Sequence, residues 1–348
     1  MTQVLKRPLL HSVVNRAADN LIPFQVSLEL TYRCNLSCKH CYVDTPMQDE
    51  MSPAEYQSVF KQLAEAGCLY LLFTGGEPLI RPDFFDIASC AKELGFVLML
   101  LTNGTLITPE VARDIDKLEP VSIGVSLHGA TPDTHDSITG MHGSFEAMLH
   151  GIELLKNLEI PVTFQALLMK SNIHEAEEMK RLAEKLGVFL RFGYEFIPAR
   201  SGSLAPFQYE ADSANLYHHV DLLLSEKNTN TCNILGKKGL CKAGRGICSI
   251  SPAGDVLPCL LMPLKVGNLR QTKFEEIWRT NPSTELSYLR SITWDDFSDC
   301  QDCTLVKYCK RCMGIALAET GELTKPAPSA CRNAALKAEF SKRKGVVL

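Results

Sequence analysis

Thr31-Tyr-Arg-Cys34-Asn-Leu-Ser-Cys38-Lys-His-Cys41-Tyr42 places three thiols within eight residues, directly after the apolar run Phe24-Gln-Val-Ser-Leu-Glu-Leu30. The spacing is Cys-x3-Cys-x2-Cys. Three thiolates on one loop can hold three irons of a [4Fe–4S] cube and leave the fourth iron open. An open iron is a place for chemistry, whereas a fully ligated cluster mostly carries electrons or structure. The competing readings are a zinc loop or half of a disulfide framework. Structural zinc sites want four ligands in paired Cys-x2-Cys units, and this trio is odd in number and unevenly spaced.

At 348 residues the chain has room for roughly two domains and a large core. Apolar content of 45% and charged content of 22% are ordinary for a globular protein. The net charge of −4 gives no bulk attraction for a polyanion, so no nucleic-acid partner is expected. The N-terminus Met1-Thr-Gln-Val-Leu-Lys-Arg-Pro lacks an apolar segment with a small-residue cleavage site, which argues against secretion. No apolar run reaches about 18 residues, so no membrane span is expected. Cysteine is the outlier at 14 residues, 11 of them in two groups: Cys34, Cys38 and Cys41, then Cys241, Cys248, Cys259, Cys300, Cys303, Cys309, Cys312 and Cys331. Many thiols in a chain of this kind point to metal rather than disulfides. The expectation is a cytoplasmic metalloprotein.

Residues 1–23 carry Leu9, Leu10, Val13 and Val14 beside Lys6, Arg7 and Arg16, the composition of a short amphipathic helix. From 24 to about 200 the chain alternates strand and helix patterns. The strand candidates are Phe24–Leu30, Tyr70–Thr74, Val97–Thr102, Ser122–Leu127, Val162–Leu168 and Leu190–Phe196. They are short apolar runs, as expected of parallel strands covered on both faces. Ser52-Pro-Ala-Glu55 and Thr108-Pro-Glu read as helix starts, Arg81-Pro-Asp-Phe leads into another helix, and Gly67 and Gly95 read as stops. Six such units predict an α/β fold, a partial (β/α)6 TIM-like barrel whose chemistry sits at the C-terminal strand ends. Cys34 follows the first strand at that end. Residues 201–230 form a bridge with a helix expected near Asp212–Leu224, and 231–348 form a small Cys-rich iron–sulfur domain.

After the second strand comes Thr74-Gly75-Gly76-Glu77-Pro78. Two glycines let a backbone approach a ligand closely, and the carboxylate beside them can hold an ammonium group. Alone the pair is a weak signal; one strand after the cysteine trio it becomes strong. On these residues the chain resembles the radical S-adenosylmethionine superfamily over about residues 24–200. The resemblance implies that Cys34, Cys38 and Cys41 ligate a cluster whose fourth iron is chelated by the methionine part of S-adenosylmethionine. It implies that Gly75, Gly76, Glu77 and Pro78 form the loop binding its amino group, and that the backbone at His40 contacts adenine. Asn103, Ser126, Gln165 and Ile197, at or near the ends of the third to sixth strands, lie where the family lines this cofactor. His128, His135 and His142 invite a metal reading, set aside because their loop is polar and expected to be solvated.

The second cysteine group, Cys241-x12-Gly254-x4-Cys259, Cys300-x2-Cys303-x5-Cys309-x2-Cys312 and Cys331, resembles the SPASM domain of radical enzymes that modify peptides. Cys248 adds an eighth thiol, the number that two fully ligated [4Fe–4S] clusters need; two zinc sites are the alternative. The resemblance implies Cys241, Cys248, Cys259 and Cys312 on one auxiliary cluster and Cys300, Cys303, Cys309 and Cys331 on the other. Cys309 and Cys312 are two residues apart where the commonest family pattern has three, which puts the role of Cys312 in doubt. Cys68 and Cys90 read as small buried hydrophobes, and Cys232 as a candidate hydrogen-atom donor.

The resemblance implies three [4Fe–4S] clusters and a 5′-deoxyadenosyl radical that takes hydrogen from an unactivated C–H bond. The leading expectation is modification of a ribosomally made peptide, by thioether or carbon–carbon crosslinking or another oxidation. Only about 23 residues precede the first strand, too few for a leader-recognition domain, so the expectation is either a separate recognition protein as partner or a substrate that needs none. An external donor such as flavodoxin or ferredoxin is another. The alternative is radical chemistry on a small molecule, such as propionate decarboxylation in haem or haem d1 synthesis. Sulfatase maturation fits less well, because Leu260 follows Cys259 where those enzymes have aspartate. A plain iron–sulfur electron carrier has no use for an ammonium-binding loop.

Overall fold

The computed structural model describes residues 7–44, 49–219 and 241–344. The chain divides into two compact units, one made of Met1–Arg33, Met47–Met99 and Cys241–Ile292, the other of Cys34–Pro46, Leu100–Leu240 and Thr293–Leu348.

The first unit contains α1 (Arg7–Asp19), β1 (Gln25–Thr31), α2 (Pro53–Glu65), β2 (Tyr70–Gly75), α3 (Phe84–Glu93) and the opening residues of β3 (Val97–Thr102). Ser52 starts α2 as its sequence predicts. Its hydroxyl accepts from the Glu55 amide, the Glu55 carboxylate accepts from the Ser52 amide at 2.7 Å, and Pro53 needs no partner for a missing N–H. Tyr56, Val59, Phe60 and Leu63 recur at helical spacing and form its buried face. They cover a sheet whose central strand β1 buries Val26, Leu28 and Leu30 completely. Each fully buried side chain of this size contributes about 1.5–3 kcal/mol. β1 pairs in parallel with β2, Gln25 opposite Tyr70, and on its other side with β7 (Ile247–Ile250), Gln25 opposite Ile247. β8 (Asp255–Leu257) and β9 (Gly267–Asn268) then extend the sheet antiparallel.

The second unit contains the rest of β3, α4 (Pro109–Leu118), β4 (Ser122–Ser126), α5 (Pro132–Thr139), α6 (Ser144–Asn157), β5 (Val162–Leu167), α7 (Ala176–Leu186) and β6 (Phe189–Gly193). β4, β5 and β6 pair in parallel, Ile123 opposite Val162 and Thr163 opposite Phe189. Thr108 caps α4 by accepting from the Val111 amide, and Pro109 follows at the first helical position. After β6 come α8 (Ser213–His218) and, near the C-terminus, helices Met313–Thr320 and Pro328–Lys344. The strand–helix alternation, the parallel pairing and the α/β class are as the sequence predicts.

One expectation changes. The sixth strand stops at Gly193 rather than Phe196, because its partner β5 ends at Leu167, which faces Gly193. Ile197 therefore lies in the following loop instead of ending a strand. The bridge helix is present as α8, while Leu224 and Cys232 lie outside the described residues. The compact units are discontinuous in sequence. The start of the Cys-rich segment joins the sheet beside β1 through β7, so residues 241–292 belong with the first strands. Among the described residues no helix is long and apolar enough to cross a membrane.

Candidate functional site

In the first unit the end of β1 is heavily braced. Buried Arg81 donates to the Leu30 carbonyl at 2.8 Å and the Met51 carbonyl at 3.0 Å, and pairs with Asp83. The Thr31 hydroxyl donates to Glu50, whose carboxylate also pairs with Arg33 at 2.9 Å. The cysteine loop thus leaves from a fixed point.

Next to that strand end is Gly75–Pro78. Gly75 has φ +129°, and a Cβ there would lie 2.3 Å from the Thr31 carbonyl oxygen. A Cβ on Gly76 would lie 2.2 Å from the Arg33 oxygen. The Gly76 and Glu77 amides donate to those same two oxygens at 2.8 and 2.9 Å. The glycines are therefore required first by close approach to β1, a reason the sequence could not display. With these two amides used, oxygen acceptors remain for a ligand, the polarity an ammonium group needs. Glu77 is completely buried and its carboxylate accepts from the Leu79 amide at 3.1 Å.

In the second unit the cysteine loop is tied to α5. The Ser37 amide donates to Thr139 O at 2.9 Å and the Lys39 amide to Ile138 O at 3.0 Å. Gly140, at φ +73°, lets the two backbones meet: a Cβ there would be 3.2 Å from Ser37 O. Cys34 and Cys41 are exposed and Cys38 half-buried. Burial pushes the Cys38 thiol up to about 12, with the charges of Cys41 and Cys34 adding to the shift. Burial raises Cys41 as well. Thiolates at such positions need a cationic partner, which iron supplies. Asn103 stands beside the trio, its amide nitrogen 3.8 Å from Cys34 Sγ and 2.9 Å from Asn35 Oδ1.

A cleft of about 270 Å³ in the same unit is lined by His40, Ser126, His128, Gln165 and Arg191. Three residues expected at the cofactor meet here: His40, Ser126 and Gln165. The sequence singles out His128 only for a metal reading and misses Arg191, a charged residue in the middle of β6. The histidine loop is not solvated as expected. His128 and His135 are buried, with His40–His128 and His128–His135 ring centroids 4.8 and 5.5 Å apart, while His142 is exposed. Burial lowers His40 and His135 to about 4 and His128 well below its ordinary value, so all three are neutral at pH 7. His40 Nδ1 and His128 Nδ1 are buried without a hydrogen-bond partner among the described residues.

The remaining thiols fall into two places. In the first unit Cys248 and Cys259 are buried and Cys241 half-buried, brought near one another by the β7–β8 hairpin and the Gly244 N to Pro258 O bond at 2.9 Å. Burial drives Cys248 well above its ordinary value; Cys68 and Cys259 raise it further and Arg290 opposes them. Cys68 is buried as expected, but Cys90 is only half-buried because it sits on the outer side of α3. In the second unit Cys300, Cys303, Cys309, Cys312 and Cys331 line a mostly apolar cavity of about 140 Å³. Cys300, Cys303, Cys309 and Cys331 act on one another electrostatically, whereas the charged neighbours of Cys312 are Glu195 and Lys310. Among the described residues no three His, Cys, Asp or Glu side chains gather closely enough to hold a single metal ion.

Residues 28–183 match the Radical SAM superfamily, and residues 241–313 match SPASM, an iron–sulfur cluster-binding domain. An AdoMet-dependent heme synthase of Methanosarcina barkeri is 30% identical over 337 residues, 88% of this chain and 95% of that relative. The chain belongs to the radical SAM superfamily. Mycofactocin maturase MftC of Mycolicibacterium smegmatis is 29% identical over 301 residues, 80% of this chain and 75% of that protein. Among solved structures, Streptococcus suis SuiB bound to precursor peptide SuiA has a TM-score of 0.71 at 16% identity, over 95% of this chain and 82% of that one. Native anSMEcpe with bound AdoMet has the same TM-score at 17% identity, over 92% and 98%. These two show the fold.

In this radical SAM enzyme the donor sets suit iron–sulfur clusters: a trio with two exposed thiols on a braced loop, Cys248 and Cys259 buried beside Cys241, and a further set lining a largely apolar cavity. Asn103 lies beside the trio, Gly75–Pro78 occupies the end of β2, and Ile197 is a half-buried loop residue.

Proposed function

We propose that this radical SAM enzyme oxidises a C–H bond of an organic substrate, and that the substrate is a tetrapyrrole carrying propionate side chains. The observation that carries this reading is likeness along nearly the whole length, 95%, of a heme synthase. Cys34, Cys38 and Cys41 would hold the cluster that binds S-adenosylmethionine, with Gly75–Pro78, His40, Asn103, Ser126, Gln165 and Ile197 assigned to that cofactor. Cys241, Cys248, Cys259 and Cys312 are assigned to one auxiliary cluster, and Cys300, Cys303, Cys309 and Cys331 to the other. When bound, these groups would supply a 5′-deoxyadenosyl radical and a route for single electrons.

The protein's own part is to bind, orient and exclude water. Arg191 is exposed at the cleft and takes part in no described ion pair, so it is available to a substrate carboxylate. Neutral His40 and His128 can donate or accept a hydrogen bond without adding charge. On a propionate, loss of a hydrogen atom from the β-carbon, then of one electron and carbon dioxide, leaves a vinyl group. The electron goes to an external acceptor, and a flavodoxin or ferredoxin is the proposed donor for the first step.

The likeness to a mycofactocin maturase favours a second reading, oxidation of a ribosomal peptide presented by a separate leader-binding protein. The test is anaerobic incubation with S-adenosylmethionine and dithionite against a propionate-bearing iron tetrapyrrole or a peptide precursor with its recognition protein. Vinyl product from the tetrapyrrole alone supports the first reading. Peptide modification without tetrapyrrole turnover overturns it in favour of the second.

A further inference from the structure

The cavity lined by Cys300, Cys303, Cys309 and Cys331 also has Arg311 in its wall. Its guanidinium carbon lies 3.6 Å from the centroid of buried Phe297, and one terminal nitrogen donates to Thr324 O at 2.6 Å. Arg311 Nε is buried and has no hydrogen-bond partner among the described residues. None of the described ion pairs uses Arg311, whereas Lys325 in the same wall is matched by Asp299 at 3.3 Å. A guanidinium stays protonated in proteins. A half-buried fixed charge whose buried donor is unused is costly unless something negative faces it. The neighbours that act with it are thiols: Cys309 and Cys331 both feel its charge.

We propose that Arg311 is the built-in charge partner of the cluster held by Cys300, Cys303, Cys309 and Cys331, its free Nε–H available to cluster sulfide, and that it raises the cluster's reduction potential. Net charge and hydrogen bonds to sulfur are the levers by which a protein sets such potentials. Reduction adds an electron to an already negative assembly, and the facing guanidinium favours the more negative form. Arg311 is thus a positioning and tuning residue rather than a catalytic one. The proposal rests on the assignment of this cysteine set to a cluster.

The test is an EPR-monitored redox titration of the full, anaerobically reconstituted chain without S-adenosylmethionine, for the unaltered protein, Arg311→Gln and Arg311→Lys. In Arg311→Gln the ratio of reduced to oxidised cluster at a fixed potential is expected to fall about tenfold, a shift of about 59 mV for one electron. The other signals should stay in place. Arg311→Lys, which keeps the charge but lacks the Nε donor, should shift less in the same direction. Unchanged midpoints at full iron content would overturn the proposal. So would loss of about four irons from both variants, since Arg311 would then be scaffold. Absence of a cluster at these cysteines in the unaltered chain, read from its iron content, overturns the cluster assignment itself.

Discussion

Two places in the second unit gather thiols, and they are built differently. The loop Cys34–Cys41 has three, two of them exposed, with the neutral amides of Asn35 and Asn103 alongside. The cavity at Cys300–Cys331 has four mutually interacting thiols in mostly apolar walls, with Arg311 facing in. An open trio leaves a position for a ligand, and the charge acting on it is the anionic Asp44 beside Cys41 rather than a cation. A closed quartet with a cation has no such opening and suits electron storage or transfer. The same residue type is thus set apart in the two places by ligand count and by the neighbouring charge, each place having two exposed thiols.

The largest effect expected from breaking this contrast is at the open trio. Cys34→Ala should abolish 5′-deoxyadenosine formation from S-adenosylmethionine and dithionite, measured by chromatography. Retained cleavage there removes the trio from the chemistry. Cys303→Ala should instead lose about four irons while 5′-deoxyadenosine still forms and substrate oxidation falls. Equal loss of cleavage in both variants would erase the distinction. Gly76→Ala brings a Cβ to 2.2 Å from the Arg33 carbonyl and must displace the loop. It should weaken S-adenosylmethionine binding about tenfold to a hundredfold at unchanged iron content, measured by equilibrium dialysis. Asn103→Ala removes the long contact to Cys34 Sγ and the bonds to Asn35 and Thr105 that hold the side chain beside the trio, with about 1 kcal/mol of the loss felt at the cofactor. A roughly fivefold loss of S-adenosylmethionine affinity is expected, with the auxiliary midpoints unmoved.

Much of this was legible before any coordinates. The cysteine trio, Gly75–Pro78 and the caps at Ser52 and Thr108 are local patterns, set by neighbours a few residues away. What escaped depends on distant partners. The loop at His128 reads as polar and solvated, yet Glu175 accepts from the Ala130 amide and the Thr131 and Thr134 hydroxyls, and Asn172 donates to His128 O. Those contacts fold the loop inward and bury His128 and His135. Ile247–Ile250 is too short to read as a barrel-sheet strand, and only pairing with β1 makes it one. Ile197 was misplaced because the end of β6 is set by the end of β5, which its own composition does not show. Arg191 and Arg311 are single cations whose meaning comes from the cleft and the cavity they line.

The claim that the chain joins one open trio to closed auxiliary sites is tested most directly by iron and acid-labile sulfide per chain after anaerobic reconstitution of the full protein. The account predicts about twelve irons, three clusters of four by ligand count. About four irons, with Cys34→Ala removing all of them, would contradict it.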